Sequence, residues 1–164
     1  MDKRLSILVV DDEPVNIQLL SSALKDVYDI LTAQDGYEAI SMLKKHTPDL
    51  ILLDVMMPDL NGFEVCKIIR GCAQFDDIPV IFISALDTYE GTRQGLNIGG
   101  NDYITKPVDL ALLKQRVRNH LEFKERDATV KRQRNQMVHQ KEMLEAALAR
   151  VKQLEGIIPI GMYS

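Results

Sequence analysis

The chain has 164 residues, 46% of them hydrophobic and 27% charged, which suits a packed domain with an appendage and excludes a disordered chain. No apolar run approaches the roughly 20 residues that span a bilayer. The two cysteines, Cys66 and Cys72, are too few for a disulfide framework and match no common zinc spacing. The net charge of −4 hides a split, with nine Lys and Arg against eighteen Asp and Glu through Asp109, then eleven against six from Leu110 onward.

The apolar run Leu5–Val10 ends in the acids Asp11 and Asp12. It predicts a strand buried on both faces, and it is too short and too acidic at its end for a secretory signal. A cytoplasmic location is the expectation. Pro14 suits the first turn of a helix in which Val15, Leu19, Leu20, Ala23 and Leu24 recur at helical spacing. A second strand is predicted over 28–33, and a helix over 36–46 with Ala39, Ile40 and Leu43 on one face. The run Leu50–Leu53 predicts a third strand ending at Asp54. Turn residues fill 56–62, a helix follows over 63–71, and Pro79–Ile83 predicts a fourth strand ending at Ser84. A helix over 88–98 closes at Gly99-Gly100, and Asp102-Tyr103-Ile104 is a short fifth strand before Thr105-Lys106-Pro107. Five strands alternating with helices predict an α/β fold, a doubly wound parallel sheet covered on both faces.

In such a sheet, ligands bind beyond the C-terminal ends of the strands. That edge would carry Asp11 and Asp12, Asp54, Ser84 and Lys106, from four different strands. Neighbouring carboxylates repel unless a hard cation sits among them, and Mg²⁺ takes such oxygen ligands. An Asp carboxylate is a competent nucleophile toward phosphorus. A lysine ammonium and a serine hydroxyl would bind the oxygens of the transferring group. Each residue alone reads more simply as a cap, a turn or a solvated surface group. Their convergence on one edge points to phosphoryl transfer.

The segments Ile7–Pro14, Asp49–Gly62, Pro79–Ala85 and Asp102–Pro107 together resemble the receiver domains of the response regulators of two-component signalling, over roughly residues 4–122. The resemblance implies a flavodoxin-like sheet of order 2-1-3-4-5. It implies Asp54 as phosphoacceptor from a sensor histidine kinase, with Mg²⁺ held by Asp11, Asp12, Asp54 and the backbone carbonyl of Met56. Ser84 matches the switch hydroxyl, Tyr103 the aromatic switch and Lys106 the phosphate-binding lysine. A cis Lys106–Pro107 bond is also implied. The implied role is a phosphoacceptor with weak self-phosphatase activity, not an enzyme with a free substrate. The apolar Met56 and Leu86 predict slow-to-moderate dephosphorylation, because they would hinder an attacking water. Phosphorylation would alter the face formed by the fourth helix, fifth strand and last helix. His46, His120 and His139 read as surface side chains.

From Leu110 to about Glu155 there is neither Pro nor Gly, which predicts one long helix. Val130, Met137, Leu144, Val151 and Ile158 fall seven apart, with Gln133, Gln140, Ala147 and Leu154 between them. This predicts a coiled coil that strengthens from Leu144 onward, and a homodimer through the C-terminal helix. The expected organisation is a receiver over 1–122, a helical extension over 123–155, and an apolar tail or the start of an output domain over 156–164. The basic tail carries no helix-turn-helix and no interleaved aromatics, so nucleic acid is not the expected partner. The alternative reading is the regulatory N-terminal part of a larger enzyme, such as a cyclic-dinucleotide synthase or phosphodiesterase.

Overall fold

The computed structural model describes residues 4–86 and 89–157. Its elements are β1 (Ser6–Val10), α1 (Pro14–Leu24), β2 (Asp29–Ala33), α2 (Gly36–Lys45), β3 (Leu50–Asp54), α3 (Gly62–Arg70), β4 (Val80–Ser84), α4 (Tyr89–Ile98), β5 (Asp102–Thr105) and α5 (Leu110–Ile157), with a single 3₁₀ turn at Ala73–Phe75. All strand pairs are parallel, in the order β2-β1-β3-β4-β5. The α/β class and the order implied by the resemblance are both found.

The pleat divides each buried strand between two cores. Leu8, Val10, Ile51, Leu53, Val80 and Phe82 face α2 and α3, where Ala39, Leu43, Val65, Cys66 and Ile69 close the layer. Ile7, Val9, Leu50, Leu52, Ile81 and Ile83 face α1 and α5, meeting Leu20, Leu24, Leu113, Val117 and Leu121. This is why the strands read as continuous apolar runs.

The starts of α2 and α3 are fixed by side chains. Asp35 accepts the Glu38 N–H, and Asn61 forms a capping box with Glu64. Arg70 ends α3 and donates to the carbonyls of Gly99, Phe75 and Ile78 and to Asn101 Oδ1, tying together three segments. Helix α4 touches the sheet through glycine. A Cβ on Gly95 would lie 2.9 Å from the Phe82 ring, and one on Gly100 only 2.2 Å from it.

His120 corrects the expectation of a surface histidine. Its Nε2 lies 2.9 Å from Asp102 Oδ2, while Arg116 donates to both Asp102 oxygens at 2.7 and 2.8 Å. Burial pushes the Asp102 carboxyl up, but the hydrogen bonds from His120 and Arg116 outweigh it and hold it at about 2. A depressed carboxyl stabilises the fold above its unfolded value near 3.8. That contribution, roughly 2 kcal/mol, should vanish as pH falls from about 4 to about 2. Acid unfolding of Asp102→Asn should lack this component, and an unchanged acid limb would refute the assignment.

The described chain parts into two compact units between Lys124 and Glu125. No helix among the described residues is long and apolar enough to cross a membrane. Of the tail expected over 156–164, the part from Ile158 onward lies outside the described residues.

Candidate phosphoacceptor site

Strand register assembles the site. Val10 pairs with Leu53, so the next residues, Asp11 and Asp54, emerge side by side. Asp54 pairs with Ile83, which places Ser84 one residue further out, and Ser84 pairs with Thr105, the residue before Lys106. All five polar residues expected at this edge therefore come from the ends of β1, β3, β4 and β5.

Asp11 and Asp54 are 1% and 2% exposed, and Asp12 lies nearer solvent. One carboxylate oxygen from each of the three falls within a 4.8 Å cluster. Lys106 Nζ donates to Asp11 Oδ2 at 3.0 Å and lies 3.5 Å from Asp54 Oδ1. Asp11 Oδ1 accepts from the Glu13 N–H at 2.9 Å and from Asn16 Nδ2 at 3.4 Å. The Lys106–Pro107 peptide is cis, as the resemblance implied.

Burial pushes the Asp54 carboxyl up to about 7, and the charges of Asp11 and Asp12 add to the shift. Lys106 and the Met56 N–H, at 3.3 Å, oppose it. Burial disfavours the Lys106 ammonium, but Asp11 and Asp54 outweigh it, and its pKa lies above the ordinary lysine value. Three carboxylates facing one ammonium leave an excess negative charge among hard oxygen donors. That donor set fits a divalent cation such as Mg²⁺.

The loop beyond Asp54 is held by close backbone approach. Gly62 donates its N–H to the Val55 carbonyl at 3.0 Å, and a Cβ there would lie 2.3 Å from the Asp54 carbonyl oxygen. Only glycine permits α3 to start so near the acceptor strand. Met56 is 56% exposed at the mouth of the site.

A further connection was not legible in the sequence. Ser84 is fully buried, and its Oγ accepts the Leu86 N–H at 3.1 Å. The Tyr103 hydroxyl donates to the Leu86 carbonyl at 2.9 Å. Both expected switch residues thus hold one loop residue through its main chain.

The response regulator receiver domain family matches residues 7–118, over half of the chain. The chain belongs to this family. The receiver is 44% identical over 119 residues to Response regulator PleD of Caulobacter vibrioides, a match covering 72% of this chain and 26% of that protein. It is 37% identical over 145 residues to a Vibrio cholerae protein named Probable cyclic di-GMP phosphodiesterase, covering 88% of this chain and 31% of that one. The chain therefore spans less than a third of the length of either relative. Among solved structures, the receiver domain of Francisella response regulator 1452 superposes with a TM-score of 0.67 at 34% identity, covering 72% of this chain and 97% of that one. Chemotaxis protein CheY4 of Vibrio cholerae gives a TM-score of 0.68 at 30% identity, with coverages of 71% and 98%.

Proposed function

We propose that this receiver is cytoplasmic and that its Asp54 accepts a phosphoryl group from a sensor histidine kinase. The observation that carries this reading is the buried Asp54 carboxylate between the Asp11–Asp12 pair and the Lys106 ammonium. Asp11, Asp12, Asp54 and the Met56 carbonyl would hold Mg²⁺, which when bound neutralises charge on the transferring group. An Asp54 carboxylate oxygen forms the bond to phosphorus while the bond from phosphorus to the donor imidazole nitrogen breaks, its electron pair returning to the imidazole. Lys106, already 3.5 Å from Asp54, binds a phosphoryl oxygen as negative charge gathers there. The carboxylate must be ionised to attack, and because its pKa is raised, a divalent cation held beside it by Asp11 and Asp12 would favour the ionised form.

Release of the group is set by water access. Met56 and Leu86 would border that route, which favours slow-to-moderate self-dephosphorylation. In the switch, the Ser84 hydroxyl turns to a phosphoryl oxygen and gives up the Leu86 N–H. The peptide of Leu86 then moves, carrying the acceptor of the Tyr103 hydroxyl with it. A two-state loop biased in this way would change the surface of α4, β5 and α5.

Acetyl phosphate with Mg²⁺ should add one phosphoryl group to the wild type, read by intact mass, and none to Asp54→Asn. Equal labelling of the variant, or no labelling of the wild type with Mg²⁺ present, would refute the assignment. A second reading has its own support: the chain covers only 26% and 31% of two relatives that match it well. On that reading the receiver regulates an attached output, such as a cyclic-dinucleotide enzyme, within a longer protein.

A further inference from the structure

From Val130 to Leu154 every residue of α5 is exposed. The exposed side chains include Val130, Met137, Leu144, Leu148, Val151 and Leu154, which are 49% to 70% exposed. An isolated helix is marginal in water and owes its stability to packing of an apolar face. Large apolar groups left in solvent along one stripe mark a surface made for a partner.

The spacing specifies what that partner is. Val130, Met137, Leu144 and Val151 repeat every seven residues, with Gln133, Gln140, Ala147 and Leu154 between them. A straight α-helix would carry a seven-residue repeat steadily around its surface. A second helix follows such a stripe only by supercoiling with it. We propose that residues 130–154 form a parallel, in-register, two-stranded coiled coil with a second copy of this chain. This goes beyond the phosphoacceptor reading and does not depend on it.

Two observations fix the orientation. In register, Gln133 and Gln140 each meet their own counterpart, amide to amide. Any slip by a half-repeat buries a glutamine against a methionine or a leucine. A buried polar layer of this kind costs stability and specifies register. The flanking pairs agree. Parallel packing sets Thr129 beside Arg134 of the second copy, Gln136 beside Lys141, and Met143 beside Leu148. None is a like-charge pair. Antiparallel packing with Leu144 against Leu154 would bring the two copies of Arg150 together. Lys131, Arg132 and Lys152 occupy outward positions, while Arg134, Lys141 and Arg150 flank the seam. The two halves therefore differ in role: Gln133 and Gln140 select register, while Leu144, Ala147, Leu148, Val151 and Leu154 supply the apolar contact.

The test is sedimentation of the full chain without phosphoryl donor. Wild type should be dimeric at micromolar concentration. The double variant Leu144→Lys/Val151→Lys should associate at least about a hundredfold more weakly. Both side chains are exposed in the single chain, so the variant should keep its fold, and unchanged Asp54 labelling would confirm that. A monomeric wild type, or a variant that dimerises equally well, overturns the proposal while leaving the phosphoacceptor reading intact. For orientation, Met137→Cys in a Cys72→Ser background should form a disulfide between copies on oxidation. Preferential crosslinking of Leu144→Cys in one copy to Leu154→Cys in the other overturns the parallel arrangement.

Discussion

In the absence of divalent cations, the protein is expected to lose stability as pH rises from about 4 to about 7. The Asp54 carboxyl titrates at about 7 in the fold against an ordinary value of 3.8. A raised carboxyl holds its proton in the native state while the unfolded chain has already released it. Raising the pH therefore favours the unfolded chain across that window. The difference of about three pH units corresponds to up to about 4 kcal/mol, a large share of the stability of an ordinary domain. Chemical denaturation across this range, with chelator present, reads the effect directly. Asp54→Asn should remove most of the slope and be more stable than wild type at pH 8. Saturating Mg²⁺ should restore the wild type, by about 2.7 kcal/mol at a hundredfold excess over Kd. A wild-type profile that matches Asp54→Asn without metal would sink the assignment.

Lys106→Met should separate two functions of the same site. The ammonium lies 3.0 Å from Asp11 and 3.5 Å from Asp54, and so competes for the carboxylates that would hold the cation. Its removal lowers the positive potential there, and Mg²⁺ should bind roughly tenfold tighter or better. Phosphoryl transfer should nonetheless slow by about 10²- to 10³-fold, because charge on the transferring oxygens loses its fixed partner. The chain has no tryptophan, so calorimetry suits the Mg²⁺ titration, with intact mass following acetyl phosphate labelling. If affinity and labelling fall together, Lys106 is holding the site in shape and not acting on the phosphoryl group.

The fold was legible because β1, β3 and β4 are buried on both faces and so print unbroken apolar runs. The site was legible because its chemistry sits in side chains at strand ends, where the sheet topology alone brings Asp11, Asp54, Ser84 and Lys106 together. What stayed hidden was carried by main chain or by long-range pairing. The hydrogen bonds that join Ser84 and Tyr103 run through the peptide groups of Leu86, and a peptide group has no letter in the sequence. His120 read as a surface residue because its carboxylate partner, Asp102, lies on β5, eighteen residues away. Arg70 gave no sign of its bonds to Gly99 and Asn101, since a basic residue at a helix end is ordinary on its own. Asn61 was read as part of a turn, although the same residue caps α3.

The seat of α4 on Phe82 has an evolutionary consequence. The ring fills the volume that side chains at 95 and 100 would otherwise occupy. These positions therefore share one allotment of space and cannot vary independently. Gly95→Ala alone should destabilise by roughly 1–3 kcal/mol through overpacking. Phe82→Leu should cost about as much through the void it leaves. The double variant should cost less than the sum, with a coupling of at least about 0.5 kcal/mol in a denaturation cycle. Strict additivity would show that the helix can shift to make room. Across related chains, a smaller residue at 82 should accompany a larger one at 95 or 100, a covariation imposed by steric exclusion with no bond between them.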